Sequence, residues 1–171
     1  LDRWKVGLAY KGQEEVFIAQ LHIATERNLP VSIHCLKAWG RLLELLEQGP
    51  VIARGFLLHS YGGSAEMIAP LAKLGAYFSF PGYYMREDKG RQREAFTQVP
   101  PDRLLIETDA PDQLLPEELR EHTLDDPEGN PINHPANLGA VYQFMAGMLD
   151  EPLEKLEARM EENFLRLFGG L

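Results

Sequence analysis

The stretch that most constrains the fold is Leu104-Leu105-Ile106-Glu107-Thr108-Asp109-Ala110-Pro111. Three aliphatic residues in a row make a short buried strand, and the run stops in an acid, a hydroxyl, a second acid and a proline. An unpaired carboxylate at the end of an interior strand is costly, so a basic side chain or a metal ion is expected at this tip. Two other strand-like runs end in histidine: Val31-Ser32-Ile33-His34 and Gly55-Phe56-Leu57-Leu58-His59. Imidazole and carboxylate at the tips of neighbouring strands point to a divalent metal site.

Helical patterns separate these runs. Residues 11–28 carry Val16, Phe17, Ala19, Gln20, Leu21, Ile23 and Ala24 as a mostly apolar helix face, and Pro30 leads into a strand over 31–35. A helix over 37–48 follows, carried by Trp39, Leu42, Leu43, Leu45 and Leu46 and closed by Gly49-Pro50. The pattern then repeats with a strand over 55–60, a Tyr61-Gly62-Gly63 turn, Ser64 as N-cap, a helix over 65–74 and Gly75 as C-cap. Pro70 lies late in that helix and is expected to kink or shorten it. A strand over 76–80, a Pro81-Gly82 turn, a tyrosine-bearing loop through Asp88 and a helix over 91–98 lead by way of Pro100-Pro101 to a strand over 103–108. Strands and helices alternating at this spacing indicate parallel β-α units, because parallel neighbours need a crossover of about a dozen residues or more. The fold class is α/β, with four parallel strands and flanking helices.

Residues 111–135 shift to acid, proline and glycine, with one short helix at 116–122. A loop of that length inside a compact domain is usually functional or mobile. Two helices close the chain, one running to 150 and one over 152–168. Their apolar positions include Leu138, Val141, Tyr142, Phe144, Met145 and Met148, then Leu156, Met160, Phe164 and Leu167.

Length and composition bound the function. With 171 residues and 44% hydrophobic content, residues 1–171 form a single domain with a sizeable core. The net charge of -9, with basic residues scattered along the chain, argues against a broad electropositive groove for duplex nucleic acid. A phosphate-bearing substrate would need a bound cation to offset that field. The single cysteine, Cys35, excludes an internal disulfide and is expected in a reducing cytoplasm. No apolar stretch is long enough to span a bilayer, and no signal peptide follows Leu1-Asp2-Arg3-Trp4.

In parallel α/β folds the loops after the strands share one face, so His34, His59 and Asp109 are expected to converge there without being close in sequence. Histidine and carboxylate together suit Zn, Mn or Mg, and such sites keep a position open for water. Asp109 is placed to bind the ion and to accept a proton from its water. Glu107 is either a partner behind a metal ligand or a salt-bridge acid. His22 and His122 fall at solvated positions, His134 at a helix start suited to capping or substrate contact, Cys35 in the core, and Tyr83 and Tyr84 at the mouth of the site.

Several motifs resemble the TatD family: Pro30-Val31-Ser32-Ile33-His34, the run from Gly55 to Gly63, Gly75 to Phe80 with Pro81-Gly82, Leu104 to Pro111, Asn133-His134-Pro135-Ala136-Asn137-Leu138, and Glu162-Asn163-Phe164-Leu165-Arg166-Leu167-Phe168. The resemblance covers essentially the whole chain. It implies a metal-dependent deoxyribonuclease on a TIM barrel of the amidohydrolase type, with one or two divalent ions (Mg, Mn or Zn). It also implies His34, His59 and Asp109 as metal ligands, and exonucleolytic cleavage from the 3' end of DNA ends or single-stranded DNA. Backbone groups near Gly62 and Gly63, with His134, are expected at the substrate.

The departures from the family pattern are specific. Leu1-Asp2 matches the tail of the family's Gly-Leu-Asp, so the His-x-His pair and the bridging glutamate lie upstream of residue 1. Leu36 stands where the family has arginine, Ser60-Tyr61-Gly62-Gly63 where it has Cys-Phe-Ser-Gly, and His134 where it has the glutamate of Asn-Glu-Pro. The chain is therefore expected to be the C-terminal half of a (β/α)8 barrel, completed by a further segment, a partner chain or self-association. Two alternatives remain: a metal-dependent hydrolase of a small ester, lactone or amide, and a non-catalytic half-barrel that serves as an interaction module.

Overall fold

The structure, a computed structural model, describes every residue except Lys5, Val6, Leu8 and Leu171. One parallel sheet is built in chain order from β1 (Val31–Ile33), β2 (Phe56–Leu58), β3 (Ala76–Pro81) and β4 (Leu104–Glu107). Ile33 pairs with Leu58, Leu58 with Phe78, and Pro81 with Glu107. All six residues of β3 are buried, as expected of a strand covered on both faces.

The helices are α1 (Tyr10–Glu26), α2 (Trp39–Gln48), α3 (Ile68–Lys73), α4 (Gly90–Phe96), α5 (Leu138–Met148) and α6 (Leu153–Phe168). Most of the core lies on one face of the sheet, where Leu21, Leu42, Phe56, Leu58, Phe78, Phe80, Phe96 and Met145 pack together. In α2 the buried residues Leu42, Leu45 and Leu46 recur at the helical three-and-four spacing that turns one stripe inward. A smaller group on Tyr77, Leu105 and Leu167 joins the end of α6 to β3 and β4.

The expected α/β class and the four parallel strands are found, and several local expectations are corrected. Ser64 does not cap a helix with its side chain; residues Ala65–Met67 form a 3-10 turn and α3 begins only at Ile68. That late start places Pro70 in the first turn of α3, where its missing N–H has no intrahelical partner to lose. Gly75 takes φ +98° and donates its N–H to the Ala72 carbonyl at 3.0 Å, as a C-capping glycine does. In α1 only Phe17, Leu21 and Ala24 are buried, and Val16 and Ile23 face out.

The segment 111–135 is more ordered than its composition implied. Its expected helix at 116–122 is only a 3-10 turn, Glu117–Leu119. An antiparallel ribbon of β5 (Leu124–Asp125) and β6 (Pro131–Ile132) follows. The Asp126 carboxylate closes the ribbon's turn by accepting from the Glu128 and Asn130 N–H groups at 3.0 and 2.7 Å. At the start of the chain, Leu1–Arg3 runs parallel beside the segment that leaves β1. Leu36 donates to the Leu1 carbonyl at 2.9 Å, and Arg3 donates to that of Leu36 at 3.0 Å. No helix among the described residues is long and apolar enough to cross a membrane.

Candidate metal centre

Because the strands are parallel, their C-terminal ends share one edge of the sheet. His34 follows β1, His59 follows β2, Glu107 ends β4 and Asp109 stands two residues beyond it. His34, His59 and Asp109 line one cavity of about 400 Å³, walled also by Tyr83, Tyr84 and Gln113.

Glu107 is the anchor of this end. One carboxylate oxygen lies 3.0 Å from His59 Nδ1 and accepts the Ser60 hydroxyl at 2.5 Å, while the other accepts the Ser79 hydroxyl at 2.5 Å. Burial pushes the Glu107 carboxyl up, but the bonds from His59, Ser60 and Ser79 outweigh it and hold the acid below its ordinary value. The same contact raises His59, since the hydrogen bond to Glu107 favours the imidazolium more than burial disfavours it. The other ring nitrogen, Nε2, is 3.6 Å from Asp109 Oδ1. Burial raises the Asp109 carboxyl above its usual range, and His59 and Gln113 pull it back only in part. Gln113 donates from Nε2 to Asp109 Oδ2 and, at 3.1 Å, to the Ser60 hydroxyl.

The backbone at this edge is held in unusual conformations. Asp109 and Ser60 take φ of +58° and +46°, in the left-handed region that side chains other than glycine's rarely adopt. Such residues cost roughly 1–3 kcal/mol and persist only where their surroundings fix them. Around Asp109 the fixing group is Asn133, which is fully buried. Its side-chain amide donates to the Thr108 carbonyl at 2.8 Å, and its backbone N–H donates to that of Pro111 at 2.8 Å.

The expected residues are therefore only partly gathered. His34 is half exposed, with its Nε2 3.3 Å from Asp2 Oδ2 and its ring centroid 6.0 Å from that of His59. Among the described residues, no three His, Cys, Asp or Glu side chains are grouped closely enough to hold a metal ion. Gly62 and Gly63 line a neighbouring cavity of about 630 Å³ with Arg91 and Gln98. The His134 Nδ1 accepts the Ala136 N–H at 3.0 Å and so caps the turn Pro135–Asn137. Cys35 is buried, and burial pushes its thiol up to about 11. Sequence reasoning gave no role to Ser79 or Gln113 and read Ser60 only as a departure from the family pattern. A lone serine in a continuously apolar strand was the available sign of Ser79; nothing marked Gln113.

The donor chemistry fits a divalent ion at the level of a pair. An imidazole whose far nitrogen is held by a carboxylate, with its near nitrogen turned to a second carboxylate, is the arrangement that orients a metal-binding histidine. His59 meets it through Glu107 and Asp109, whereas His34 shares the cavity without joining the pair.

A family profile described as TatD related DNase matches residues 1–169. A 3'-5' ssDNA/RNA exonuclease TatD of Shigella flexneri is 36% identical over 158 residues, 92% of this chain and 58% of that protein. The protein of the same description from Escherichia coli K12 is 35% identical over the same shares. The chain thus spans a little under three-fifths of the length of these two relatives. In fold it is similar to YJJV, a TatD homologue of Escherichia coli K12, with TM-score 0.86 at 22% identity over 100% of this chain and 62% of that one. A TatD-family hydrolase of Entamoeba histolytica gives TM-score 0.76 at 17% identity over 93% of this chain and 57% of that one. With a family match over nearly its whole length and relatives more than one-third identical, the chain belongs to the TatD-related DNase family.

Proposed function

We propose that this protein is a metal-dependent phosphodiester hydrolase that shortens single-stranded DNA from its 3' end. The observation that carries the reading is His59, fixed by Glu107 on one nitrogen and turned to Asp109 on the other, inside an open cavity at the C-terminal edge of the sheet. His59 and Asp109, joined by His34 once its ring turns from Asp2, would hold the divalent ion. A Mg, Mn or Zn ion bound there would supply a Lewis acid and would lower the pKa of a bound water to roughly 7 in favourable cases. Asp109 takes the proton of the attacking water, a task helped by burial, which makes its carboxylate more basic than an exposed one. Gln113 fixes one Asp109 oxygen and leaves the other toward His59. Glu107 keeps the imidazole from rotating.

The four strands are read as half of a (β/α)8 barrel, with the remaining ligands supplied by a preceding segment, a partner chain or a second copy. A cytoplasmic location belongs to the same reading. Cleavage of 5'-labelled single-stranded DNA with added Mn or Mg tests it. The expected product is a ladder shortened from the 3' end, abolished by chelator and reduced about 10²–10⁴-fold in Asp109→Asn. Metal-dependent turnover of a small ester with the DNA left intact would overturn it.

A further inference from the structure

We propose a second ligand site, for a phosphate-bearing small molecule, at the opposite end of the sheet from the His59 cavity. Its evidence is independent of the hydrolase reading. Arg54, Arg103 and Arg166 line one cavity of about 470 Å³ together with Gly55, Gly75 and Tyr77. The first two arginines are fixed by the strands: Arg54 lies two residues before β2 and Arg103 immediately before β4, so both stand where strands begin. Arg166 reaches the same cavity from the last turns of α6. Along β4, Arg103 and Glu107 are four residues apart, which separates the two ends by about 13 Å.

Three guanidinium groups in one cavity are unusual for this chain, which carries 26 acidic residues against 17 lysines and arginines. None of the described residues lining the cavity is acidic. Among the described residues, the carboxylate paired with these arginines is Asp102, whose Oδ2 lies 3.6 Å from Arg103 Nε. Part of the arginine chemistry is structural. Arg54 donates from Nη2 to the Gly169 carbonyl, and Arg166 donates from Nη1 to the Asp102 carbonyl and the Asn163 side-chain oxygen. Each of these contacts uses a single nitrogen of a guanidinium that carries five N–H donors. The Arg103 guanidinium lies 4.9 Å over the Tyr77 ring, which holds it by a cation–π contact that consumes no donor. The result is a set of planar forks from three elements, held in place and still able to donate. Phosphate oxygens accept such forks in pairs, and mutual repulsion among the three cations is relieved when a dianion enters.

The recognised chemistry is the phosphate group, offered either by inorganic phosphates or by a 5'-mononucleotide. Pyrophosphate and 5'-dAMP are the two probes, titrated calorimetrically into the whole protein in chelator so that no metal at the far end contributes. Saturable binding is expected, with a loss of roughly tenfold or more for each guanidinium removed in Arg103→Gln and Arg166→Gln. His59→Ala should leave it unchanged. Because Arg166→Gln also releases a backbone contact, a second measurement uses the unaltered protein: pyrophosphate should protect Arg54, Arg103 and Arg166 from phenylglyoxal, as read by peptide mass. Tighter binding of 5'-dAMP than of pyrophosphate assigns the site to nucleotides, and the reverse assigns it to inorganic phosphates. Absence of protection, equal affinity in the arginine variants, or loss of binding in His59→Ala would overturn the proposal.

Discussion

Glu107 accepts three side-chain hydrogen bonds, and the consequences of removing its charge can be worked out at that one position. In Glu107→Gln the amide keeps the size but presents a single acceptor oxygen in place of two, so His59 loses the anion that orients it. A lost partner behind a metal-binding imidazole typically lowers metal affinity about 10–100-fold, and Mn titration of the variant should show a loss in that range. The pH dependence follows from the same pair. His59 is raised in the folded state, so its contribution to stability is fully present below its ordinary 6.5 and is lost as pH rises through the raised value. Glu107 is lowered, so its contribution is present above its ordinary 4.5 and fades as pH falls through the lowered value. The pair therefore stabilises most between those limits. Thermal unfolding should show this maximum flattened in Glu107→Gln. Metal binding runs the other way, because a protonated His59 has no lone pair to offer: Mn affinity in the unaltered protein should climb as pH rises through the raised His59 value.

Among the elements, α6 shows where the sequence could be read and where it could not. Its stripe of Leu156, Met160 and Leu167 was legible from helical spacing, and all three are buried. Phe164 was placed on the same stripe and is 53% exposed, while the polar Asn163 lies inside. The reason is a backbone debt that periodicity does not register. Where the chain enters β4, the Asn163 side-chain amide donates to the Pro101 and Leu104 carbonyls, at 2.8 and 2.9 Å. Asn163→Ala should therefore destabilise by about 2–3 kcal/mol, the cost of leaving buried acceptors unmet, with the midpoint shift read in urea. The candidate site at the sheet edge divides in the same manner. The strand tips at His34, His59 and Asp109 were visible because parallel β-α units put them at one end. The hydroxyls of Ser60 and Ser79 and the Gln113 amide were not, because each acts through a register or a loop path that only the folded chain defines.

For the molecule as a whole, the proposed half-barrel ties two features together: the open edges of the sheet and the proposed ligand set. Among the described residues, β1 and β4 each pair with one strand, and the addition beyond β1 is the short bridge between Asp2 and Leu36. Unpaired edges of this kind template further strand pairing unless they are covered. Among the described residues, the cavity at the same end brings His59 and Asp109 together with no third His, Cys, Asp or Glu close enough to share an ion with them. If covering the edges and completing the site are one event, metal affinity and association must be linked, because an ion that binds the assembled form better pulls the chain toward it. Sedimentation of the 171-residue chain on its own should then give an average mass above 19.4 kDa that rises with concentration and rises further when Mn is added. A lone 19.4 kDa species that binds Mn tightly at every concentration would show instead that His34, His59 and Asp109 suffice. In that case the 6.0 Å between the two imidazole rings closes by side-chain rotation alone.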